Sequence, residues 1–431
     1  YPFLKRFQLG IDSDDAMNKL FVITILLLVL FFLDWYIYQA IALLTKGSSE
    51  NIIWWVRVIY WSVTGITFTA ILFYNFGNPD WFEGQTRSLV LTGVFINYFS
   101  KVFGIVFLLL EDVTRAGRWV ISLFQNPEPS GTGNSIPRSE FLAKTALVAS
   151  TVPLLSMSYG ILSGAHDYRI RRKQILLPNL PKAFDGIKLG QLSDIHSGSF
   201  FNKTAVKGGV EMLMKEKPDV VFFTGDLVNN ESKEVEGYIN IFDKVKAPLG
   251  VYSVTGNHDY GDYKRDWISP NSKAQNFRDL QEAHKLMGYD LLMNENRFIE
   301  VGGERIAILG NENWGAGRFA KYGDLDKAYK GSEEAPVKIL LSHDPSHWDA
   351  KVRPNYPDID LMLAGHTHGF QFGVEIGNFK WSPSQYAYKQ WAGLYTEGNQ
   401  HLYVNRGFGY IGYPGRIGMP PEITILELKR A

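Results

Sequence analysis

Nine histidines occur in 431 residues, and two of them, His366 and His368, stand one residue apart in LMLAGHTHGFQ, residues 361–371. Alone, a His-x-His pair is commonly two solvated or hydrogen-bonded loop residues, so its meaning depends on what else can reach those rings. Four other apolar runs end alike. IKLGQLSDIH ends in Asp194 and His196, and DVVFFTGDL carries Asp226. GVYSVTGNHD ends in Asn257, His258 and Asp259, and VKILLSHDP carries His343. Each reads as a strand entering a short loop that opens on Asp, Asn or His. Ligands in α/β sheets collect beyond the carboxyl ends of strands, so five such loops can converge.

Imidazoles, carboxylates and one amide oxygen make a mixed nitrogen and oxygen set suited to Mn, Fe or Zn rather than Ca or Mg. Asp194, His196, Asp226, Asn257, His343, His366 and His368 exceed what one ion needs and fit two ions sharing a bridging carboxylate. A single structural zinc is the plainer alternative, but four ligands would close it and leave three unexplained. The chain has no cysteine, which excludes disulfides, thiolate zinc sites and cysteine nucleophiles.

The elements that must position these residues begin near His166. From there, apolar runs of four to seven residues alternate with polar helix-like stretches such as NFRDLQEAHKLM, residues 276–287, the rhythm of a sheet covered by helices on both faces. No repeat of solenoid period occurs. Lys plus Arg and Asp plus Glu are 44 each, so net charge gives no footprint for nucleic acid, and no nucleic-acid partner is expected.

The first third has a different texture. Leu20–Leu44, Ile52–Tyr74 and Leu89–Leu110 are apolar runs long enough to cross about 30 Å of hydrocarbon, and Phe141–Leu162 is a fourth, weaker one. Trp35, Tyr36, Trp54 and Trp55 suit the headgroup region. Arg115 and Arg118 begin either an interfacial segment or a continuation of the third helix. NPEPSGTGNSIPRS, residues 126–139, reads as a linker. The expected division is a transmembrane domain over 1–125, the linker 126–139, a fourth transmembrane helix over 140–163 and a catalytic domain over 164–431. Asp34 and Arg57 stand at matching depths in their helices and are expected to neutralise each other, with Lys101 a third intramembrane charge.

Asp-x-His, Gly-Asp, Gly-Asn-His-Asp, a lone His and Gly-His-x-His, in that order across residues 187–370, resemble the calcineurin-like metallophosphoesterase family, in its membrane-anchored branch. The resemblance implies a two-sheet αββα sandwich preceded by an all-α membrane domain of about four helices. It implies two divalent metal ions, one held by Asp194, His196, Asp226 and His368, the other by Asp226, Asn257, His343 and His366. The implied reaction is hydrolysis of a phosphoester or pyrophosphate by a metal-bridging hydroxide, with His258 protonating the leaving oxygen or steadying the transferring group. The substrate is a soluble phosphoester or, given the bilayer, a lipid or lipid-linked one. A catalytically silent metal-bound sensor or scaffold attached to a working membrane domain is the rival.

Two departures from the family pattern stand out. Asn229 replaces a carboxylate that orients the catalytic histidine in some members, and Phe370 replaces a glycine after the last motif. A packed aromatic is the ordinary reading of Phe370, and narrowing of the site's mouth is the other. GFGYIG, residues 407–412, matches Gly-x-Gly-x-x-Gly but is followed by too little chain for a βαβ unit, so it reads as a loop. Arg406 and Arg416 there either touch phosphate or are solvated. Trp381, Tyr386, Tyr388, Trp391 and Tyr395 line a cleft, rest on the bilayer or pack a sheet. Arg115, Arg118, Arg138 and Lys144 precede the fourth segment and favour a catalytic domain on the exported face, against Lys5, Arg6 and Lys19.

Overall fold

The structure, a computed structural model, describes residues 13–78, 84–124, 139–377 and 379–431. The linker through residue 138, Lys5, Arg6 and Arg138 lie outside the described residues. The chain divides into two compact units, ending and beginning at Ser158 and Tyr159.

The first unit is helical: α1 (Ser13–Thr45), α2 (Glu50–Phe76), α3 (Gly84–Ser122) and most of α4 (Glu140–Leu162). All four are long and apolar enough to cross a membrane. Arg115 and Arg118 lie inside α3, which runs unbroken to Ser122. The expected Asp34–Arg57 pair does not form. Asp34, wholly buried, faces Lys101 on α3 at 2.5 Å and accepts from Thr64 Oγ1 and Tyr98 OH, each at 2.9 Å. Arg57 instead donates from Nε to Tyr38 OH at 3.3 Å. The reason is that α1 packs against α3 as well as α2, and α3 carries the nearer cation.

The second unit is built on two six-stranded mixed sheets. The first has the order β1 (Arg169–Leu177), β14 (Glu422–Arg430), β2 (Lys188–Leu192), β3 (Val220–Phe223), β4 (Val251–Ser253), β5 (Asp290–Leu291). The second runs β12 (Gly393–Glu397), β13 (Gln400–Val404), β9 (Leu361–Ala364), β8 (Lys338–Leu341), β7 (Glu304–Gly310), β6 (Glu295–Val301). A separate hairpin pairs β10 (Val374–Ile376) with β11 (Phe379–Trp381).

The central strands β3, β8 and β9 are buried along their whole length, because both faces of each sheet are covered there. Val221 and Phe223 enter a core with α5 (Lys203–Lys215), whose Val206, Val210 and Leu213 recur at helical spacing, and with the helix Pro270–Met287. Their neighbours Val220 and Phe222 point the other way, into the core between the sheets, where they meet Ile308, Ile339, Leu363 and Leu426. Leu340 and Met362 cover the outer face of the second sheet with Trp348 and Leu325. The layers are therefore helix, sheet, sheet, helix. Side-chain alternation within each strand serves two cores at once.

Candidate metal centre

The five runs singled out in the sequence are β2, β3, β4, β8 and β9, and the predicted residues sit in the loops at their carboxyl ends. They come together. Asp194, His196 and His368 each offer a ligand atom within 4.8 Å of one another, and so do Asp226, His343 and His366. Asp226 stands between the groups: its Oδ2 is 3.1 Å from His343 Nε2 and 3.4 Å from His196 Nε2. Asp194 Oδ1 is 3.3 Å from His368 Nε2.

Local backbone geometry sets these side chains. Asp194, His196, Asp226, His366 and His368 all have positive φ, between 48° and 70°. This left-handed region costs a non-glycine residue on the order of 1 kcal/mol or more, and such strain persists where surroundings over-determine it. Here Asp259 supplies much of that surrounding. Its buried carboxylate accepts the backbone N–H groups of Asp226 at 2.9 Å, Gly256 at 2.8 Å, Leu227 at 2.8 Å and Val228 at 3.3 Å. Asp194 is fixed likewise by the His366 N–H, 2.9 Å from Oδ1 and 3.0 Å from Oδ2. The glycines of two motifs are steric necessities, since a Cβ on Gly256 would strike the Asp226 carboxylate and one on Gly365 would strike Ser193 and Asp194.

The outer ring nitrogens are also held. His343 Nδ1 donates to the Thr224 carbonyl at 2.7 Å, His196 Nδ1 faces Asn229 Oδ1 at 3.1 Å, and His366 Nε2 faces Tyr388 OH at 2.7 Å. Such partners orient metal-ligating imidazoles. Asn257 donates its amide N–H to Tyr263 OH at 2.8 Å, which leaves Asn257 Oδ1 buried without a hydrogen-bond partner among the described residues. An orphaned buried acceptor is costly, and a cation beside it would remove that cost. The donor set and this oxygen fit divalent metal ions.

The titration of the cluster fits too. Burial lowers His196 to about 3 and His366 to about 4, and it holds His368 well below its usual range, so all three are neutral near neutral pH, the form in which an imidazole can take a metal. Burial alone would lower His343, but Asp226, by charge and hydrogen bond, and Asp194 carry it up to about 10. Burial would raise Asp226, yet the surrounding charge of His343 and His258 holds it well below the carboxylate range. Burial pushes Asp194 up to about 7, with His343 opposing and Asp226 adding.

His258 belongs to neither ligand group. Its Nδ1 is 2.8 Å from the Asn229 backbone carbonyl and its ring lies against Tyr263 at 4.4 Å. Asn229 holds His258 through its main chain and turns its side chain to His196. A cleft of about 340 Å³ opens here, lined by His258, Asn257, Tyr263, Phe319, Tyr388 and Phe370 among others. Phe370 is exposed on its edge rather than packed.

Arg406 and Arg416 are neither solvated nor presented to the cleft. Arg406 is buried against Glu422 Oε2 at 2.5 Å. Arg416 is buried with its guanidinium on the carbonyls of Arg406, Gly407, Gly409 and Met419, and Nη2 is 3.2 Å from His368 Nδ1. The glycine-rich stretch is a loop that supplies two of those carbonyls, from Gly407 and Gly409, which a lone arginine in a sequence cannot reveal. Tyr263 closely follows the Gly-Asn-His-Asp motif, whereas nothing along the sequence marks Phe319.

Strand-end carboxylates and imidazoles gathered at one rim of a two-sheet sandwich are the arrangement of a metallophosphoesterase domain. The chain belongs to the calcineurin-like phosphoesterase family: residues 187–370 match the model Calcineurin-like phosphoesterase, and residues 18–165 match Probable Calcineurin-like phosphoesterase, transmembrane domain. It is similar to the "Transmembrane protein with metallophosphoesterase domain" of Danio rerio, 29% identical over 362 residues, covering 82% of this chain and 75% of that protein. It is 30% identical over 253 residues to the "Uncharacterized metallophosphoesterase YkuE" of Bacillus subtilis, 58% of this chain and 82% of that one. A Campylobacter jejuni metallophosphoesterase is 25% identical over 404 residues, 84% of this chain and 98% of that protein. With its four apolar helices, the chain is a membrane protein.

Proposed function

We propose that this is a membrane-embedded phosphoester hydrolase using two divalent ions, with Mn, Fe or Zn best suited to the donors. Asp194, His196, Asp226 and His368 would hold one ion, and Asp226, Asn257, His343 and His366 the other. The observation that carries the reading is Asp226, whose single carboxylate lies against an imidazole of each group. Ions bound there would supply a water activated at neutral pH and would neutralise charge on the phosphoryl oxygens.

The chain's own residues do the rest. His258 keeps its Nδ1 proton on the Asn229 carbonyl, so Nε2 is the nitrogen that exchanges a proton with the leaving oxygen. Asn257 lends its buried oxygen to the second site while Tyr263 fixes the amide. Tyr388, Phe319 and Phe370 wall the cleft and exclude water from one side of the substrate.

In this reading residues 164–431 form the catalytic domain, 140–163 cross the membrane, 126–139 link, and 1–125 hold the other three helices. Arg115, Arg118 and Lys144 support an inside position for the loop before α4 and an exported catalytic face. Turnover of an aryl phosphate and an aryl phosphodiester by detergent-purified protein with Mn²⁺ tests the function. Hydrolysis of one or both supports it, and the better substrate assigns the ester class. Metal uptake with no hydrolysis of these or of a lipid pyrophosphate would favour a silent scaffold.

A further inference from the structure

Beside the cleft lies a surface that the metal centre does not use. Across the β10–β11 hairpin, Val374 pairs with Trp381 and Ile376 with Phe379, so these four side chains share one face and Glu375 and Lys380 the other. The charged face is the one turned to the protein. Glu375 meets Arg171 at 2.6 Å and Arg406 at 3.4 Å, and Lys380 Nζ donates to the Ala392 carbonyl at 2.6 Å. The apolar face is turned out, with Ile376 73% and Phe379 62% exposed. A hairpin facing water is expected to do the reverse. Phe372, Tyr386 and Phe370, itself 62% exposed, continue the patch to the cleft that Phe370 lines. Contiguous apolar surface of this kind marks an interaction site.

The path of the chain indicates what covers it. The last turn of α4, from Tyr159, belongs to the catalytic unit. The Gly160 carbonyl accepts the Arg416 N–H at 3.1 Å, and a Cβ on Gly160 would come within 2.6 Å of Tyr413 OH and 2.8 Å of Ile417. Ile417 donates its N–H to Gln371 O at 2.8 Å, accepts from Gly373 N–H at 2.9 Å, and bridges to Phe372. One loop, residues 413–417, therefore joins the end of a membrane-crossing helix to the root of the hairpin.

We propose that the apolar face of the hairpin seats in the lipid interface and holds the mouth of the cleft at the membrane surface. An amphiphilic phosphoester could then pass from lipid to the metal centre. That consequence for substrate class rests on the phosphoesterase reading, whereas the seating does not. Interfacial elements bind by apolar burial at the headgroup boundary, which this face offers and its charged back does not.

The absence of cysteine from the sequence makes the test clean, because Ile376→Cys gives the full chain a single thiol. The variant is labelled with an environment-sensitive fluorophore and placed in nanodiscs containing lipids with doxyl groups near the headgroups. Lys207→Cys, on the solvent side of α5, is the control. Quenching by doxyl lipid at 376 but not at 207, with iodide quenching reversed, is the expected result. A 376 label open to iodide and untouched by doxyl lipid overturns the proposal. So does protection from both quenchers in a particle holding two chains, which would give the face to a second copy. Ile376→Glu with Phe379→Glu should lower hydrolysis of a lipid-headgroup phosphoester about tenfold, a fraction of the burial lost, and leave a soluble aryl ester unchanged. An unchanged lipid rate would overturn the link to substrate. If no ester at all is hydrolysed, the phosphoesterase reading falls while quenching still decides the seating.

Discussion

His343 gives the proposed metal centre a pH dependence. In the ion-free chain both of its ring nitrogens face acceptors, Nδ1 the Thr224 carbonyl at 2.7 Å and Nε2 the Asp226 carboxylate at 3.1 Å. The ring is therefore held as imidazolium, with its pKa carried up to about 10 against the opposing effect of burial. A cation taking Nε2 must displace that proton, while the Nδ1–H bond survives and fixes the tautomer. At pH 7 the displacement costs about three pKa units, or about 4 kcal/mol of binding free energy. The sign follows: raising the pH removes the competitor, so affinity at the site of Asp226, His343 and His366 should rise about tenfold per unit, or about 100-fold from pH 6 to pH 8. Titration calorimetry of the detergent-purified apoprotein with Mn²⁺, in buffers of different ionisation enthalpy, counts the protons. About one per chain should be released at pH 8. More should be released at pH 6, where Asp194, raised by burial to about 7, is also protonated. Flat affinity between these pH values with no proton released would show that His343 is neutral and refute the ion pair.

Four further outcomes are expected. Asp259→Ala strands four backbone N–H groups in a buried site and should destabilise the catalytic unit by about 4 kcal/mol, read by chemical unfolding. His258→Ala should keep its full metal content yet lose turnover by about 10² to 10⁴, since the residue contacts neither ligand group as a ligand; loss of metal would contradict its assignment. Lys101→Met should destabilise the helical unit by about 3–5 kcal/mol by leaving Asp34 buried and unpaired, and Asp34→Asn in the same chain should restore most of it. Arg57→Met should cost no more than about 1 kcal/mol, and a larger loss there would mean that Arg57 rather than Lys101 pairs with Asp34.

The parts legible in the sequence were those written in local chemistry. β2, β3, β4, β8 and β9 are apolar runs closed by Asp, Asn or His, and their order alone marks the residues that the fold brings together. Hydropathy likewise marks α1 to α4. Long-range partners were not legible. Nothing along the chain says that Asp34 meets Lys101, 67 residues away, rather than Arg57 on the next helix. Arg416 looks like any loop arginine until the backbone folds carbonyls around its guanidinium. Asn229 shows the limit most finely. Its position was readable as a support for histidine, but whether the main chain or the side chain faces His258 depends on a turn that the sequence does not encode locally. The hairpin's inverted polarity needed the register of Ile376 with Phe379 and the partners of Glu375, neither of which is visible without the fold.

The most direct test of the central claim is metal content by mass spectrometry of detergent-purified chain, alongside Asp226→Asn. Two ions per chain, falling to one or fewer in the variant with loss of phosphoester hydrolysis, is the predicted result, because Asp226 lies against both ligand groups. A single ion, unchanged in Asp226→Asn and accompanied by unchanged hydrolysis, would contradict a shared two-ion centre.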